Sequence, residues 1–78
     1  MEPKQYIWIE SNYRANGVLY TAYGIAYVDF SDGVPVILKA IPDLSTDKDR
    51  VQQLAALCTE LQISPMHLRD VIDDFLSE

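Results

Sequence analysis

The sequence predicts an α+β fold, a three-stranded antiparallel β-meander with a C-terminal helical hairpin packed on one face. Three observations predict it. Asn16-Gly17, the strongest short hairpin signal, stands between two runs rich in Tyr, Ile, Val and Trp, Tyr6 to Tyr13 and Val18 to Val28. A second turn, Ser31-Asp32-Gly33, precedes a third apolar run, Val34 to Ile41. After Leu44 the apolar period changes from two to about 3.6. With 78 residues the chain has room for one core, so residues 1–78 read as a single small domain.

The first hairpin follows from Asn16-Gly17. A two-residue type I′ turn sets Ala15 opposite Val18, Tyr13 opposite Tyr20, Ile9 opposite Gly24 and Ile7 opposite Ala26. Alternation then puts Ile7, Ile9, Tyr13, Val18, Tyr20, Ala22, Gly24, Ala26 and Val28 on one face. The other face carries Tyr6, Trp8, Glu10, Arg14, Leu19, Tyr23, Ile25 and Tyr27. The first face is nearly free of charge, and Ala22, Gly24 and Ala26 leave room for a helix, so the first face is the expected core.

For the second hairpin a three-residue loop with Gly33 in the left-handed conformation pairs Phe30 with Val34. It puts Val34, Val36, Leu38 and Ala40 on the expected core face and Lys39 on the opposite one, whereas a two-residue loop would bury Lys39. Pro42 is expected to end the sheet. Ser45 or Thr46 is the expected N-cap of the first helix, whose stripe is Val51, Leu54, Ala55, Cys58 and Leu61. Ser64-Pro65, an N-cap followed by proline at the first helical position, opens the second, with a stripe of Leu68, Val71, Ile72, Phe75 and Leu76.

Twelve acidic residues against six basic ones give a formal net charge of -6, which opposes attraction to phosphate backbones and anionic membranes. No nucleic-acid or membrane partner is expected. Cys58 has no second cysteine to pair with, and Met1-Glu2-Pro3-Lys4 leads into a strand rather than a signal peptide, so the expected compartment is the cytoplasm. The most apolar stretch, Val18 to Val28, is far short of the roughly 20 residues of a membrane-spanning helix.

Catalytic and ligand chemistry finds little purchase. Gly17, Gly24 and Gly33 are scattered and build no phosphate loop. His67, Asp70 and Asp74 share a helical face at metal-ligand spacing, but such trios are common on solvated helices, and no metal or other cofactor is expected. Cys58 falls on a core stripe, where a cysteine acts as a small apolar residue. The chain therefore reads as a non-enzyme.

Leu57, Cys58, Leu61, Ile63, Leu68 and Val71 fall where a helix-turn-helix places its packing residues. In the turn Gln62 stands where glycine is usual, and the would-be recognition helix exposes Asp70, Asp73 and Asp74. Such a surface repels phosphate. A transcription-related helix-turn-helix protein is the alternative function.

The leading expectation is a protein-interaction module. Two short helices cover one face of the sheet, which leaves Tyr6, Trp8, Tyr23, Ile25, Tyr27 and Ile37 as an aromatic patch edged by Glu10, Arg14 and Lys39. Tyr and Trp ringed by charge are typical of protein interfaces. A homodimer or another protein is the expected partner.

Three segments carry a resemblance: Tyr20-Thr21-Ala22-Tyr23-Gly24-Ile25, Leu44-Ser45-Thr46-Asp47, and the run from Leu61-Gln62-Ile63-Ser64-Pro65 to Val71-Ile72. Together they resemble a family of short bacterial proteins classed as a domain of unknown function. The resemblance implies a bacterial cytosolic setting and assigns no activity or site.

Overall fold

The computed structural model describes residues 3–77; Met1 and Glu2, read above as the lead into the first strand, lie outside them. Three strands, β1 (Lys4–Ala15), β2 (Val18–Asp29) and β3 (Val36–Ser45), form one antiparallel sheet in the order β1-β2-β3. Helices α1 (Lys48–Glu60) and α2 (Leu68–Leu76) follow, with a 3-10 turn at Pro65–His67 leading into α2. This is the α+β order that the sequence predicts.

The β1–β2 hairpin has the expected register, with Ala15 opposite Val18 and every pair in step down to Lys4 and Asp29. Asn16 (φ 52°) and Gly17 (φ 78°) both take the left-handed conformation that a type I′ turn requires. The face assignment, however, is inverted. The helices pack on Tyr6 and Ile25, which join Val51, Leu54, Ala55, Cys58, Leu68 and Ile72 in the buried core. Tyr23, Tyr27 and Ile41 pack against that cluster from the sheet side.

Two physical reasons explain the inversion. Glu10 and Arg14, the charges that argued against this face, are exposed at the turn end of β1 and absent from the core cluster. The small residues of the opposite face serve the third strand instead of a helix. A Cβ on Gly24 would collide with the Ile41 carbonyl oxygen and lie 2.6 Å from Pro42 Cα, so β3 crosses directly over the glycine.

That crossing also carries β3 past Pro42, where the sheet was expected to stop. Ile25 pairs with Ile41 but Tyr23 with Ser45, so β3 bulges over Pro42–Leu44, with Asp43 at φ 58°. At the other end the loop is longer than three residues. Gly33 is left-handed as expected (φ 79°), yet pairing begins at Asp29–Val36 rather than Phe30–Val34. A second irregularity leaves Leu38 unpaired between Ile37, opposite Val28, and Lys39, opposite Tyr27.

Asp47, not Ser45 or Thr46, caps α1, accepting from the Arg50 N–H at 3.3 Å, while the Ser45 hydroxyl accepts from the Asp47 N–H at 3.0 Å. Val51, Leu54, Ala55 and Cys58 are buried as the stripe predicts, but Leu61 is exposed at the C-cap. Ser64 caps the following turn by accepting from the Met66 N–H, with Pro65 at its first position as expected. Between the helices, Ile63 N–H donates to the Cys58 carbonyl and Gln62 N–H to the Thr59 carbonyl, the paired bonds of a Schellman motif, with Gln62 left-handed at φ 52°.

Candidate interaction surface

The six residues of the expected aromatic patch do not come together as a surface. Tyr6 is 5% exposed and Ile25 fully buried, both beneath the helices. Tyr23 and Tyr27 are half-buried against the same core. Trp8 faces that side too, with the Lys48 ammonium 4.8 Å from its ring centroid. Ile37 lies opposite Val28, on the other side of the sheet from Tyr27, and is 64% exposed. Of the side chains that edge the patch, Lys39 reaches the helical side, its Nζ donating to the Pro65 carbonyl at 3.3 Å, while Glu10 and Arg14 stay exposed.

The apolar surface without a layer over it is the outer sheet face. Ile7, Ile9 and Ile37 point there by alternation, with Leu38 beside Ile37 at the bulge. Ile7 is 36% exposed and Leu38 49%. Between them Ala22, Ala26 and Val28 of the central strand are buried. The sequence named Ile7 and Ile9 as core, so this surface was missed. The spacing of Gly24 opposite a strand rich in small residues was the available signal, since it marks close backbone approach as readily as helix docking.

The turn end of the hairpin extends beyond its pairing with β3. Pairing of β2 with β3 covers Tyr23 to Asp29, so Ser11 to Ala22 is a two-stranded ribbon. Tyr13 and Tyr20 stack across it with ring centroids 5.4 Å apart. Partial burial and the neighbouring Asp43 carboxylate hold the Tyr20 hydroxyl above its ordinary pKa. Val18 and Leu19 are exposed near its tip.

A cleft of about 290 Å³ opens where β1 meets the end of α1, lined by Tyr6, Tyr27, Cys58, Thr59 and Ile63 with Lys4. The hydroxyls of Tyr6 and Thr59 are committed to holding the fold. The Tyr6 hydroxyl donates to the Ile63 carbonyl at 2.6 Å, and the Thr59 hydroxyl accepts from the Tyr6 N–H at 2.9 Å while donating to the Tyr6 carbonyl at 3.0 Å. Burial, with Tyr27 and Cys58 nearby, pushes the Tyr6 pKa up to about 12. Burial also pushes the Cys58 thiol up, away from the reactive thiolate. His67, Asp70 and Asp74 are exposed along the 3-10 turn and α2, and among the described residues no group of three or more His, Cys, Asp or Glu could hold a metal ion. No helix among the described residues is long and apolar enough to cross a membrane.

The molecule is thus a small α+β domain of order β-β-β-α-α whose sheet turns Tyr6, Tyr23, Ile25 and Tyr27 towards the helices and Ile7, Ile9 and Ile37 outward. The chain belongs to the family of unknown function DUF6514, which it matches over residues 3–78. No curated protein and no solved structure matches it.

Proposed function

We propose that this chain is a non-catalytic protein-interaction module of the bacterial cytoplasm, and that partners dock on the outer face of its sheet. The observation that carries the reading is the exposure of Ile7, Ile37 and Leu38 together on the face opposite the helices. Large apolar side chains exposed on both edge strands of one face favour a protein contact. The cleft lends little to a competing catalytic reading, because the Tyr6 and Thr59 hydroxyls are tied to backbone groups and burial raises the Cys58 thiol away from the thiolate. The resemblance to short bacterial proteins and the single buried cysteine support the cytoplasmic setting.

The test is affinity capture from the native cytoplasm with the unaltered chain, the Ile37→Glu/Leu38→Glu variant and a control altered at exposed Asp73. Capture that survives in the control and disappears in the double variant is expected. Identical capture by all three would overturn the reading.

A further inference from the structure

Strand β1 is an edge of the sheet. In a hairpin closed by a two-residue turn, Ala15 and every second residue before it bond to β2, so the backbone groups of Tyr6, Trp8, Glu10, Asn12 and Arg14 point away from the sheet. Tyr6 shows this parity directly, since both its N–H and its carbonyl meet the Thr59 hydroxyl. Among the described residues, no bond takes the outward backbone groups of Glu10, Asn12 or Arg14. From Lys4 to Ala15 the strand has no proline, and its pairing has no bulge, so of the usual devices that blunt an edge only charge is present, at Lys4, Glu10 and Arg14.

Glu10 and Arg14 stand two residues either side of Asn12 and carry opposite charges. We infer that two copies of this chain pair antiparallel through their β1 edges about a two-fold axis at Asn12, an inference that rests on reading the chain as an interaction module. In that register Asn12 faces Asn12, and Glu10 of each copy faces Arg14 of the other. Each of these pairs exchanges two backbone hydrogen bonds, because all three residues present outward groups. Across the sheet Ile9 meets Ala15, and Ser11 meets Tyr13. A slip of two residues either way separates both charge pairs.

The existing structure sets the length of the contact. The Asn16-Gly17 turn of the second copy falls beside Trp8 and turns away there, just before Tyr6, where Thr59 already occupies the edge. The paired stretch, Ile9 to Ala15, is therefore centred on the projecting ribbon that begins at Ser11. A two-stranded ribbon is marginal alone, and pairing makes it the middle of a continuous sheet. The outer faces of the two copies then lie side by side as one platform.

Sedimentation velocity of the full chain at micromolar concentration tests this. A dimer is expected, with Glu10→Arg and Arg14→Glu each weakening it by about tenfold or more, since each swap sets like charges opposite one another twice. The double variant Glu10→Arg/Arg14→Glu restores the opposite-charge pairs and recovers the dimer. Both positions are exposed, and unchanged thermal melts will show that the fold is intact. A monomeric unaltered chain, a dimer indifferent to either swap, or a double variant that stays weak overturns edge pairing. If the dimer ignores the swaps but Ile37→Glu/Leu38→Glu dissolves it, edge pairing fails and the outer-face reading stands. If the swaps behave as expected while native capture ignores Ile37→Glu/Leu38→Glu, the outer-face reading fails and edge pairing stands.

Discussion

Tyr6 holds more of this molecule together than any position on the outer face. Its ring sits in the core 4.6 Å from that of Tyr27, its backbone is bracketed by Thr59, and its hydroxyl reaches across to Ile63. The pKa consequence has a definite sign. A tyrosine raised from 10.0 to about 12 favours the folded state fully below pH 10, and that stabilisation is lost as the pH climbs towards 12, because the unfolded chain releases the proton first. Urea midpoints should therefore fall across this window. Tyr6→Phe should cost about 1 kcal/mol at neutral pH through the lost hydrogen bond and should flatten the alkaline decline. Gly24 has no tolerance of a different kind. Gly24→Ala puts a methyl group into the backbone of β3, and a loss of roughly 3 kcal/mol or more is expected in urea titration, well above the ordinary cost of an exposed strand substitution.

Among the elements, the junction of α1 and α2 is where local sequence and local geometry disagree. Gln62 adopts a left-handed conformation that glycine would take without strain. Gln62→Gly should raise stability by about 1 kcal/mol, read as a shift in urea midpoint at constant slope. Both turns with left-handed glycines, the hairpin register, the Ser64-Pro65 helix start and the four buried residues of α1 were legible from residue type and spacing. The side of the sheet that the helices choose was not. Alternation sorts residues into two faces but does not rank them. The ranking turned on Glu10 and Arg14, which are exposed at the turn end of β1, and on Gly24, whose missing side chain admits a strand. Ile37 was placed on the wrong face for a related reason, since pairing that begins at Asp29–Val36 rather than Phe30–Val34 shifts the register by one, and the extra residue at Leu38 restores the expected side only from Lys39 onward. The Asp47 cap lay one residue beyond the choice considered, within the ordinary uncertainty of a helix start.

At the scale of the whole molecule, charge separates an interaction module from a reader of nucleic acid. Net charge is -6, and Asp70, Asp73 and Asp74 are exposed on α2, with Arg69 lying 4.0 Å from Asp73. Titration into random duplex DNA at low salt, where phosphate attraction is greatest, should show no appreciable binding. Tight binding that weakens with salt would instead favour the helix-turn-helix alternative. The two helices are better understood as a clasp on the sheet. Arg50 of α1 donates to the Phe75 carbonyl at 2.5 Å and lies 5.0 Å from the Phe75 ring, which ties the first turn of α1 to the last turn of α2.

The bond from Tyr6 to Ile63 spans 57 positions of the chain. On the ribosome the meander is therefore made first and its cover last. Strand pairing is local and can proceed as the chain emerges, but the aromatic side of the sheet has nothing to pack against until the residues of α1 and α2 have left the exit tunnel. For that interval the nascent protein exposes both sides of its sheet, and its aggregation risk depends on how quickly Lys48 to Leu76 follow, a timing that synthesis rate controls at ~5–20 residues per second.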